Sequence, residues 1–176
     1  EASKPPYISN CHRDVAGDFL RILLGPLHAI GTARKEGLMR FSQIEWSGVL
    51  DPTAISMART GYAYVPKDCQ LKGVGSCDVH VSFHGCRQTT AEIGDAYLTR
   101  TGLNEWAETN NVVIVYPQAI RNLWIINPRG CWDWWGYTGA QFYTKAGPQM
   151  RAIERITRAF MQGRVKLLPV VRLSQE

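Results

Sequence analysis

Alternating and continuous runs of apolar residues predict four short β-strands. Residues 41–46 (Phe-Ser-Gln-Ile-Glu-Trp) alternate between apolar and polar side chains, as expected for a strand with one buried face. Residues 61–66 and 79–83 are also rich in β-forming side chains, and a proline ends the first of these two segments. Residues 112–116 (Val-Val-Ile-Val-Tyr) are apolar throughout, which predicts a strand covered on both faces of a sheet.

Helical spacing of apolar residues predicts helices before and between these strands. The first helix is expected to begin at Asn10 or Asp14 and to end at Gly25-Pro26. The residues that follow helical spacing there are Val15, Phe19, Ile22 and Leu23, and Leu27 could extend this set. A short helix over 93–98 and a longer one over 101–110 follow, and a last amphipathic helix runs from 146 or 147 to 161. The last helix is expected to bury Met150, Ile153, Ile156, Thr157 and Phe160.

The order of these elements predicts an α/β fold, in which crossover helices connect the strands of one sheet. Residues 1–163 are expected to form part of a single domain, and the tail 164–176 lacks clear periodicity and is expected to be loosely ordered. In such folds, binding groups lie on loops after the carboxyl ends of strands. His84-Gly85-Cys86 and Tyr116-Pro117-Gln118 follow two predicted strand ends, so we expect a site there.

The composition argues against two classes of partner. No apolar run approaches the roughly 18 residues of a membrane span. The first residues lack the basic and apolar regions of a signal peptide, which is typical of a chain already in progress. The formal net charge is +5, but the basic residues are scattered and no nucleic-acid-binding motif accompanies them. We therefore expect neither a membrane nor a nucleic acid as a partner.

The chain contains five cysteines, an odd number. In an oxidising compartment this predicts two disulfides and one sulfur whose partner lies elsewhere, and the alternative is five buried, reduced thiols. Cys69 and Cys77 flank a glycine-rich turn, and Cys11 stands apart near the start of the chain. No Cys-x-x-Cys or histidine spacing indicates zinc, so no metal site is expected.

The chain lacks a recognisable catalytic nucleophile. A serine hydrolase of the α/β type requires Gly-x-Ser-x-Gly, or a close variant, between a strand and a helix. Ser47 and Ser76 lack these flanking elements. Cys86 and His84 are two residues apart on an extended segment, so their side chains would not line up for proton transfer. His84 is expected instead to be a structural hydrogen-bonding residue.

The segment His84-Gly85-Cys86 is suited to presenting a backbone N–H group. Glycine lets the chain turn sharply after a strand, and the amide of Cys86 can then face a cleft. Such a donor in an oxyanion hole is worth on the order of 3–4 kcal/mol in the rate of an acyl transfer. The alternative is purely structural, because many strands end in glycine.

A cluster of aromatic residues is the second unusual feature. Trp132, Trp134, Trp135 and Tyr137 fall within six residues of one another, together with Asp133. One interpretation is that these side chains pack in the core. The other is that a loop also rich in Asn, Pro and Gly cannot bury them all, so that they line a cleft for an apolar ligand or polymer.

As a set, these motifs resemble the extracellular poly(3-hydroxybutyrate) depolymerases of the circularly permuted α/β-hydrolase type. The resemblance extends from Pro6 to Phe160. The matching segments are Pro6-Tyr7-Ile8-Ser9-Asn10-Cys11, Gly61-Tyr62-Ala63-Tyr64-Val65-Pro66 with Cys69, His84-Gly85-Cys86-Arg87-Gln88, Ile93-Gly94, Thr101-Gly102-Leu103-Asn104-Glu105-Trp106-Ala107, Asn110-Asn111, Tyr116-Pro117-Gln118-Ala119, Asn127-Pro128 with Gly130-Cys131-Trp132-Asp133-Trp134, and Gly147-Pro148-Gln149-Met150.

The resemblance implies that residues 1–163 are the C-terminal part of a single α/β-hydrolase catalytic domain. It implies the disulfides Cys69–Cys77 and Cys86–Cys131, and a bond from Cys11 to a cysteine outside this chain. The backbone N–H of Cys86 would contribute to the oxyanion hole. Trp134 would line the crevice that holds a polyester chain, and the candidates beside it are Trp132, Trp135 and Tyr137.

The resemblance also implies a reaction and a location. Ester bonds between short 3-hydroxyalkanoate units would be hydrolysed through a seryl acyl-enzyme, without a metal or an organic cofactor. The protein would be secreted to the extracellular space or the periplasm. Its expected partners are a polyester or short-chain ester substrate and the N-terminal half of the same protein.

The resemblance places the catalytic serine, aspartate and histidine before residue 1. This chain alone is therefore not expected to hydrolyse esters, since removal of a triad leaves only residual catalysis. Two alternatives remain. The chain could belong to a non-catalytic protein that uses the tryptophan cleft to bind an apolar polymer, or to a carboxylesterase similar to feruloyl esterases.

Overall fold

The computed structural model describes residues 4–170. Its helices in this range are Val15–Leu24 (α1), Ile44–Ser47 (α2), Lys67–Lys72 (α3), Thr90–Ile93 (α4), Ala96–Thr99 (α5), Leu103–Asn110 (α6) and Pro148–Met161 (α7). Its strands are Leu38–Ser42 (β1), Thr60–Tyr64 (β2), Asp78–Val81 (β3), Val112–Tyr116 (β4) and Leu168–Pro169 (β5). Short 3-10 turns lie at Lys35–Gly37, Pro52–Ile55 and Val74–Ser76. None of the described helices is long and apolar enough to cross a membrane.

The strands form one mixed sheet in the order β3-β4-β2-β1-β5. β3 and β4 are parallel and are connected through α4, α5 and α6, whereas β2 pairs antiparallel with both β4 and β1. A parallel pair with helices in its crossover and helices against the sheet confirms the predicted α/β class. The carboxyl end of β3 leads directly into the segment His84-Gly85-Cys86.

The core lies on both faces of the sheet because successive side chains of β4 point to opposite sides. Val112, Ile114 and Tyr116 pack with residues of α1 and α6, and Val113 and Val115 pack against α7. All five residues of β4 are buried, as the continuous apolar run predicted. On the α7 side, the rings of Phe41 and Phe160 meet edge to face at 5.0 Å.

Two predicted elements differ from the structure. The strand predicted over 41–46 ends at Ser42, because the buried amide of Gln43 donates hydrogen bonds to the carbonyl oxygens of Ala58 (2.7 Å) and Gln118 (3.0 Å), and a helical turn follows. The helix predicted over 93–98 is divided into α4 and α5 at Gly94, whose φ of 62° is left-handed and cannot continue a helix.

Most of the apolar residues with helical spacing on α1 are exposed, although such a face usually packs on a core. Val15, Phe19, Ile22 and Leu23 are exposed, with Ile22 at 83% of its full accessible area. The buried residues are Ala16, Gly17 and Leu20, and Gly17, which has no side chain, allows α1 to approach Trp106. A Cβ on Gly17 would lie 2.6 Å from the Trp106 ring, so this close packing requires glycine. An unpartnered apolar helix face therefore lies next to the outer edge of β3.

The segment after Gly163, expected to be loose, follows the sheet as far as the structure describes it. Val165 and Leu167 pack against the α7 side of the core, and β5 pairs antiparallel with β1. Residues 171–176 of the predicted tail lie outside the described residues. The sheet thus has β5 at one edge and β3 at the other.

Candidate active site

Two disulfides are formed, and both have the pairing that the resemblance implied. Cys69 is bonded to Cys77, and Cys86 is bonded to Cys131 with a Cα–Cα distance of 4.2 Å. The second bond joins the loop after β3 to the segment 131–137, here called the aromatic loop. Cys11 is free and exposed, and its bond to a cysteine outside this chain stays a prediction.

The loop after β3 is held by short hydrogen bonds on both sides of Cys86. The N–H of Gly85 donates to the side-chain oxygen of Gln88 (2.6 Å), and the N–H of Arg87 donates to the carbonyl of Arg129 (2.8 Å). The sharp turn was expected at Gly85, but the left-handed conformation belongs to Arg87, with φ of 62°. The N–H of Cys86 makes no hydrogen bond with any residue in the range 4–170, so this donor is free to bind a ligand.

His84 fixes the loop through hydrogen bonds to the backbone and is not positioned as a base. Its Nδ1–H donates to the carbonyl of Gly85 (2.8 Å), and its Nε2 accepts from the N–H of Ala119 (3.0 Å), at the loop after β4. Both ring nitrogens are therefore occupied by the backbone. Burial lowers the pKa of His84 to about 4, against an opposing effect of the hydrogen bond to Gly85. His84 is thus the structural residue that the sequence indicated.

The buried, neutral His84 makes stability depend on pH. The unfolded chain binds the proton at the ordinary pKa of 6.5, and the folded chain binds it only near pH 4. The free energy of unfolding should therefore be constant above pH 6.5 for this group and fall by about 3 kcal/mol as the pH decreases to 4. Chemical denaturation of wild-type protein and His84→Gln at several pH values measures this, because glutamine can accept from Ala119 but does not titrate. The same substitution at exposed His28 should keep the wild-type profile, and equal slopes for all three proteins would contradict the assignment.

Asp133 organises the aromatic loop through four hydrogen bonds. Its carboxylate accepts from the backbone N–H groups of Gly136 (2.7 Å), Tyr137 (3.1 Å) and Thr138 (2.8 Å), and from the Thr138 hydroxyl (2.6 Å). Partial burial alone would raise the pKa of Asp133, but the hydrogen bonds from Thr138, Gly136 and Tyr137 lower it overall. Asp133 therefore stays ionised, and its hydrogen bonds to residues 136–138 fix the conformation of the loop.

Two buried amides connect this loop to the rest of the domain. Asn127 accepts from the N–H of Cys131 (2.9 Å) and donates to the Cys131 carbonyl (2.8 Å) and the Ser56 hydroxyl (2.8 Å). Gln149, in the first turn of α7, accepts from the N–H of Asp133 (2.9 Å) and donates to the Tyr137 hydroxyl (2.8 Å). Sequence reasoning did not identify these roles, although both amides lie in motifs that carry the resemblance.

The four candidate aromatic residues have different environments. Trp134 is 72% exposed and Trp135 is 38% exposed, and their rings meet edge to face at 5.1 Å. Tyr137 packs against Trp135 at 4.8 Å, and its hydroxyl donates to the Cys131 carbonyl (2.7 Å). Burial raises the pKa of Tyr137 to about 12, so its hydroxyl stays protonated. Trp134 and Trp135 are thus accessible to a ligand, whereas Tyr137 supports them.

Trp132 connects the aromatic loop to the loop after β3. Its ring contacts Phe83 edge to face at 5.1 Å and lies 5.5 Å from the His84 ring. Its indole Nε1 is buried and has no hydrogen-bond partner among residues 4–170. Trp132 also lines an apolar groove of about 480 Å³ between these loops and α7, together with Phe83, Phe142, Met150 and Ile153.

Met150 and Phe142 are groove residues that the sequence analysis did not assign. Met150 was predicted to be buried with Ile153 on the core face of α7, but its side chain is exposed. Ile156 and Phe160 are buried as predicted, and Ala152 and Ala159 are buried beside them, so Met150 lies at the edge of the apolar stripe. In the sequence, the adjacent aromatic residues Phe142 and Tyr143 before α7 were the only indication that Phe142 could line a groove.

The described serines do not form a catalytic pair with a histidine. Ser47 donates to the carbonyl oxygens of Ile44 (3.1 Å) and Val49 (3.0 Å), and Ser76 donates to the carbonyl of Gly73 (2.7 Å). Ser56 donates to the carbonyl of Ile120 (2.7 Å), and Ser82 pairs with Tyr97 (3.0 Å). Between residues 4 and 170, no serine hydroxyl bonds a histidine, and no group of three His, Cys, Asp or Glu side chains could hold a metal ion.

Comparison with known proteins identifies the group to which this arrangement is related. No protein-family model matches the chain. The poly(3-hydroxybutyrate) depolymerase of Delftia acidovorans is 42% identical over 151 residues, which cover 85% of this chain and 29% of that protein. The polyhydroxybutyrate depolymerase of Talaromyces funiculosus is 42% identical over 161 residues, covering 86% of this chain and 46% of that protein. The chain is homologous to part of the poly(3-hydroxybutyrate) depolymerases.

Solved depolymerase structures have the same fold over this part. The crystal structure of the PHB depolymerase from Penicillium funiculosum superimposes with a TM-score of 0.81 at 38% identity, covering 92% of this chain and 52% of that protein. A second structure, of a serine-to-alanine variant in complex with an R3HB trimer, matches equally well. The sheet of this chain is therefore part of an α/β-hydrolase fold. The chain spans less than half of the length of either curated relative and about half of the crystallised depolymerase.

Proposed function

We propose that this chain forms one side of the active site of a secreted depolymerase. That side would contain an oxyanion-binding N–H group and the aromatic residues that bind the substrate. The enzyme would hydrolyse ester bonds of poly(3-hydroxybutyrate) or related short-chain polyesters. The observation that carries the proposal is the N–H of Cys86, which makes no hydrogen bond within the described chain and is fixed by a disulfide to the exposed tryptophans. In α/β-hydrolases, one oxyanion donor comes from the loop after the third strand, and Cys86 follows β3.

The chemistry follows from this position. A serine hydroxyl from the remainder of the domain would attack an ester carbonyl while a base there accepts the hydroxyl proton and passes it to the leaving alcohol, and the carbonyl oxygen would gain negative charge as the tetrahedral intermediate forms. The N–H of Cys86 would donate a hydrogen bond to that oxygen, in a loop already fixed by His84 and the disulfide. The alcohol end of the polyester would leave, and water would release the acyl group. None of these proposed steps requires a metal or an organic cofactor.

The exposed indoles would bind the polymer beside the reacting ester. Trp134 and Trp135 present a large apolar area at little conformational cost, because an indole has only two side-chain torsions. The methyl-branched, uncharged repeat of a polyhydroxybutyrate chain suits such a surface. The related PHB depolymerase structure in complex with an R3HB trimer supports this substrate class.

The remainder of the domain would cover surfaces that are exposed among residues 4–170. β3 is an edge strand with a parallel neighbour on one side, and the exposed face of α1 (Phe19, Ile22 and Leu23) lies beside it, with Phe19 packed on His80 at 5.2 Å. An edge strand with an adjacent apolar face is suited to sheet extension. The N-terminal half of a depolymerase domain is the partner that the length of the related proteins supports.

Activity of the chain joined to the remaining half of the domain tests this proposal. Trp134→Ala should reduce the rate on polymer about tenfold or more and leave hydrolysis of p-nitrophenyl butyrate within about twofold, because the indole is exposed and contributes binding area only. Release of 3-hydroxybutyrate and of p-nitrophenol measures the two rates. Trp124→Ala is a matched control, since Trp124 is 97% exposed and lies outside the aromatic loop.

Other outcomes would identify the alternatives. Ferulate release at a higher rate than 3-hydroxybutyrate release would favour a feruloyl-esterase-like enzyme. Polymer binding that depends on Trp134 without any hydrolysis would favour a non-catalytic binding protein. An unfolded Trp134→Ala protein would show that the indole is structural.

A further inference from the structure

A cationic cavity of about 330 Å³ lies beside the Cys86–Cys131 disulfide, separate from the apolar groove. Three arginines line it: Arg87 follows Cys86, Arg129 lies two residues before Cys131, and Arg121 belongs to the loop after β4. Its remaining charged residue is Glu92. Three arginines and one glutamate thus line a space that can hold a small molecule or the end of a chain.

The three arginines are not neutralised by ion pairs. None of them forms a salt bridge with a residue in the range 4–170, whereas Arg13, Arg34, Arg59 and Arg158 do. The guanidinium of Arg87 donates a hydrogen bond to the Tyr7 hydroxyl (3.4 Å). Like charges held close together repel one another, so an anion that enters the cavity would relieve this repulsion.

The walls of the cavity are fixed before any ligand binds. The N–H of Arg87 donates to the carbonyl of Arg129, which joins two of the arginines through the backbone next to the disulfide. Gln88 donates to the carbonyl of Tyr7 (2.8 Å), which holds the tyrosine against the same loop. Arg87 has a left-handed φ of 62°, a conformation that costs free energy for a residue with a side chain and persists where the surrounding structure holds it.

We propose that this cavity binds the free carboxylate of a 3-hydroxy acid or of its short linear oligomer. This inference rests on the proposed function, because hydrolysis of each ester bond produces one carboxylate and one hydroxyl. Guanidinium groups bind carboxylates through two parallel N–H···O hydrogen bonds, which gives them a geometric preference for this group. Arg87, which lines the cavity, directly follows the proposed oxyanion donor Cys86 in the chain. The interior of a polyester carries no charge, so the cavity distinguishes chain ends from chain interior.

Titration calorimetry with the 176-residue chain tests the proposal without requiring catalysis. The probes are (R)-3-hydroxybutyrate, its linear dimer acid, the methyl ester of that dimer, and inorganic phosphate. The dimer acid should bind at least about tenfold more tightly than its methyl ester, since the ester keeps the size and loses the charge. Arg121→Gln and Arg129→Gln should each weaken the dimer acid about tenfold, and Arg151→Gln, an exposed substitution on α7 outside the cavity, should not.

Each result decides the question. Equal affinity for the monomer and the dimer acid would support the carboxylate site and identify the product as its ligand. Equal affinity for the dimer acid and its methyl ester, or unchanged affinity in both cavity variants, would overturn the proposal, as would binding of phosphate alone. If a glutamine variant fails to fold, Arg121→Lys retains the charge without the forked geometry and should bind measurably more weakly than wild type. If the wild-type chain joined to the remaining half of the domain does not hydrolyse the neutral ester p-nitrophenyl butyrate, the result counts against the proposed function. It leaves the carboxylate-binding proposal for this cavity unaffected.

Discussion

Removing the Cys86–Cys131 disulfide by the double substitution C86A/C131A is expected to lower the free energy of unfolding by about 4 kcal/mol. The bond closes a loop with a sequence separation of 45, and the chain-entropy model gives this value for a loop of that length. The paired control is C69A/C77A, whose bond closes a separation of only 8 and should cost about 2–3 kcal/mol. Urea denaturation of the wild type and the two double variants measures both values.

The two disulfides should also differ in their effect on catalysis. In the chain joined to the remaining half of the domain, C86A/C131A should lower kcat about 100-fold or more, because the loop that holds the N–H of Cys86 loses its covalent support from the aromatic loop. C69A/C77A should keep nearly wild-type turnover at temperatures where it is folded, because that disulfide joins α3 to the start of β3. Equal losses of activity in both variants would show that the Cys86–Cys131 bond acts only through stability.

Replacing Asp133 with alanine is expected to release the aromatic loop. The substitution removes the carboxylate that accepts four hydrogen bonds. The N–H groups of Gly136, Tyr137 and Thr138 then lose their hydrogen-bond acceptor. Hydrogen bonds to a charged acceptor contribute more than neutral ones, so the free energy of unfolding should decrease by about 3 kcal/mol. Near-ultraviolet circular dichroism should lose intensity, because the packing of Trp134, Trp135 and Tyr137 depends on the loop.

Two variants make this result specific. Asp133→Asn keeps one carbonyl oxygen and should lose about half as much stability as Asp133→Ala. Asp95→Ala removes a carboxylate that forms no cap hydrogen bond, and it should change stability by less than about 0.5 kcal/mol. If Asp133→Ala behaves like Asp95→Ala, the loop is held by packing of its aromatic rings alone.

The sequence predicted the elements whose environment is set by local pattern. The run of residues forming β4 is apolar at every position, so its burial on both faces follows from the sequence alone. The end of α6 at Asn111 was also predictable, because asparagine adopts the left-handed conformation found there, with φ of 54°.

The sequence did not predict features that depend on distant residues. The apolar face of α1 has helical spacing, but spacing does not reveal that Gly17 packs against Trp106 and that Phe19 and Ile22 point outward. The roles of Asn127 and Gln149 depend on backbone groups that only the folded chain brings together. In the candidate site, the motifs indicated Cys86 and the tryptophans, and the structure added the hydrogen bonds that position them.

The central claim is that the N–H of Cys86 stabilises an oxyanion beside Trp134. A crystal structure of the chain joined to the remaining half of the domain, inactivated by an alkyl p-nitrophenyl phosphonate, tests it most directly. A phosphonyl oxygen should lie about 3 Å from the Cys86 nitrogen, with the alkyl chain directed toward the exposed indole of Trp134. A phosphonyl group bound away from Cys86, with that N–H turned toward another protein group, would contradict the account.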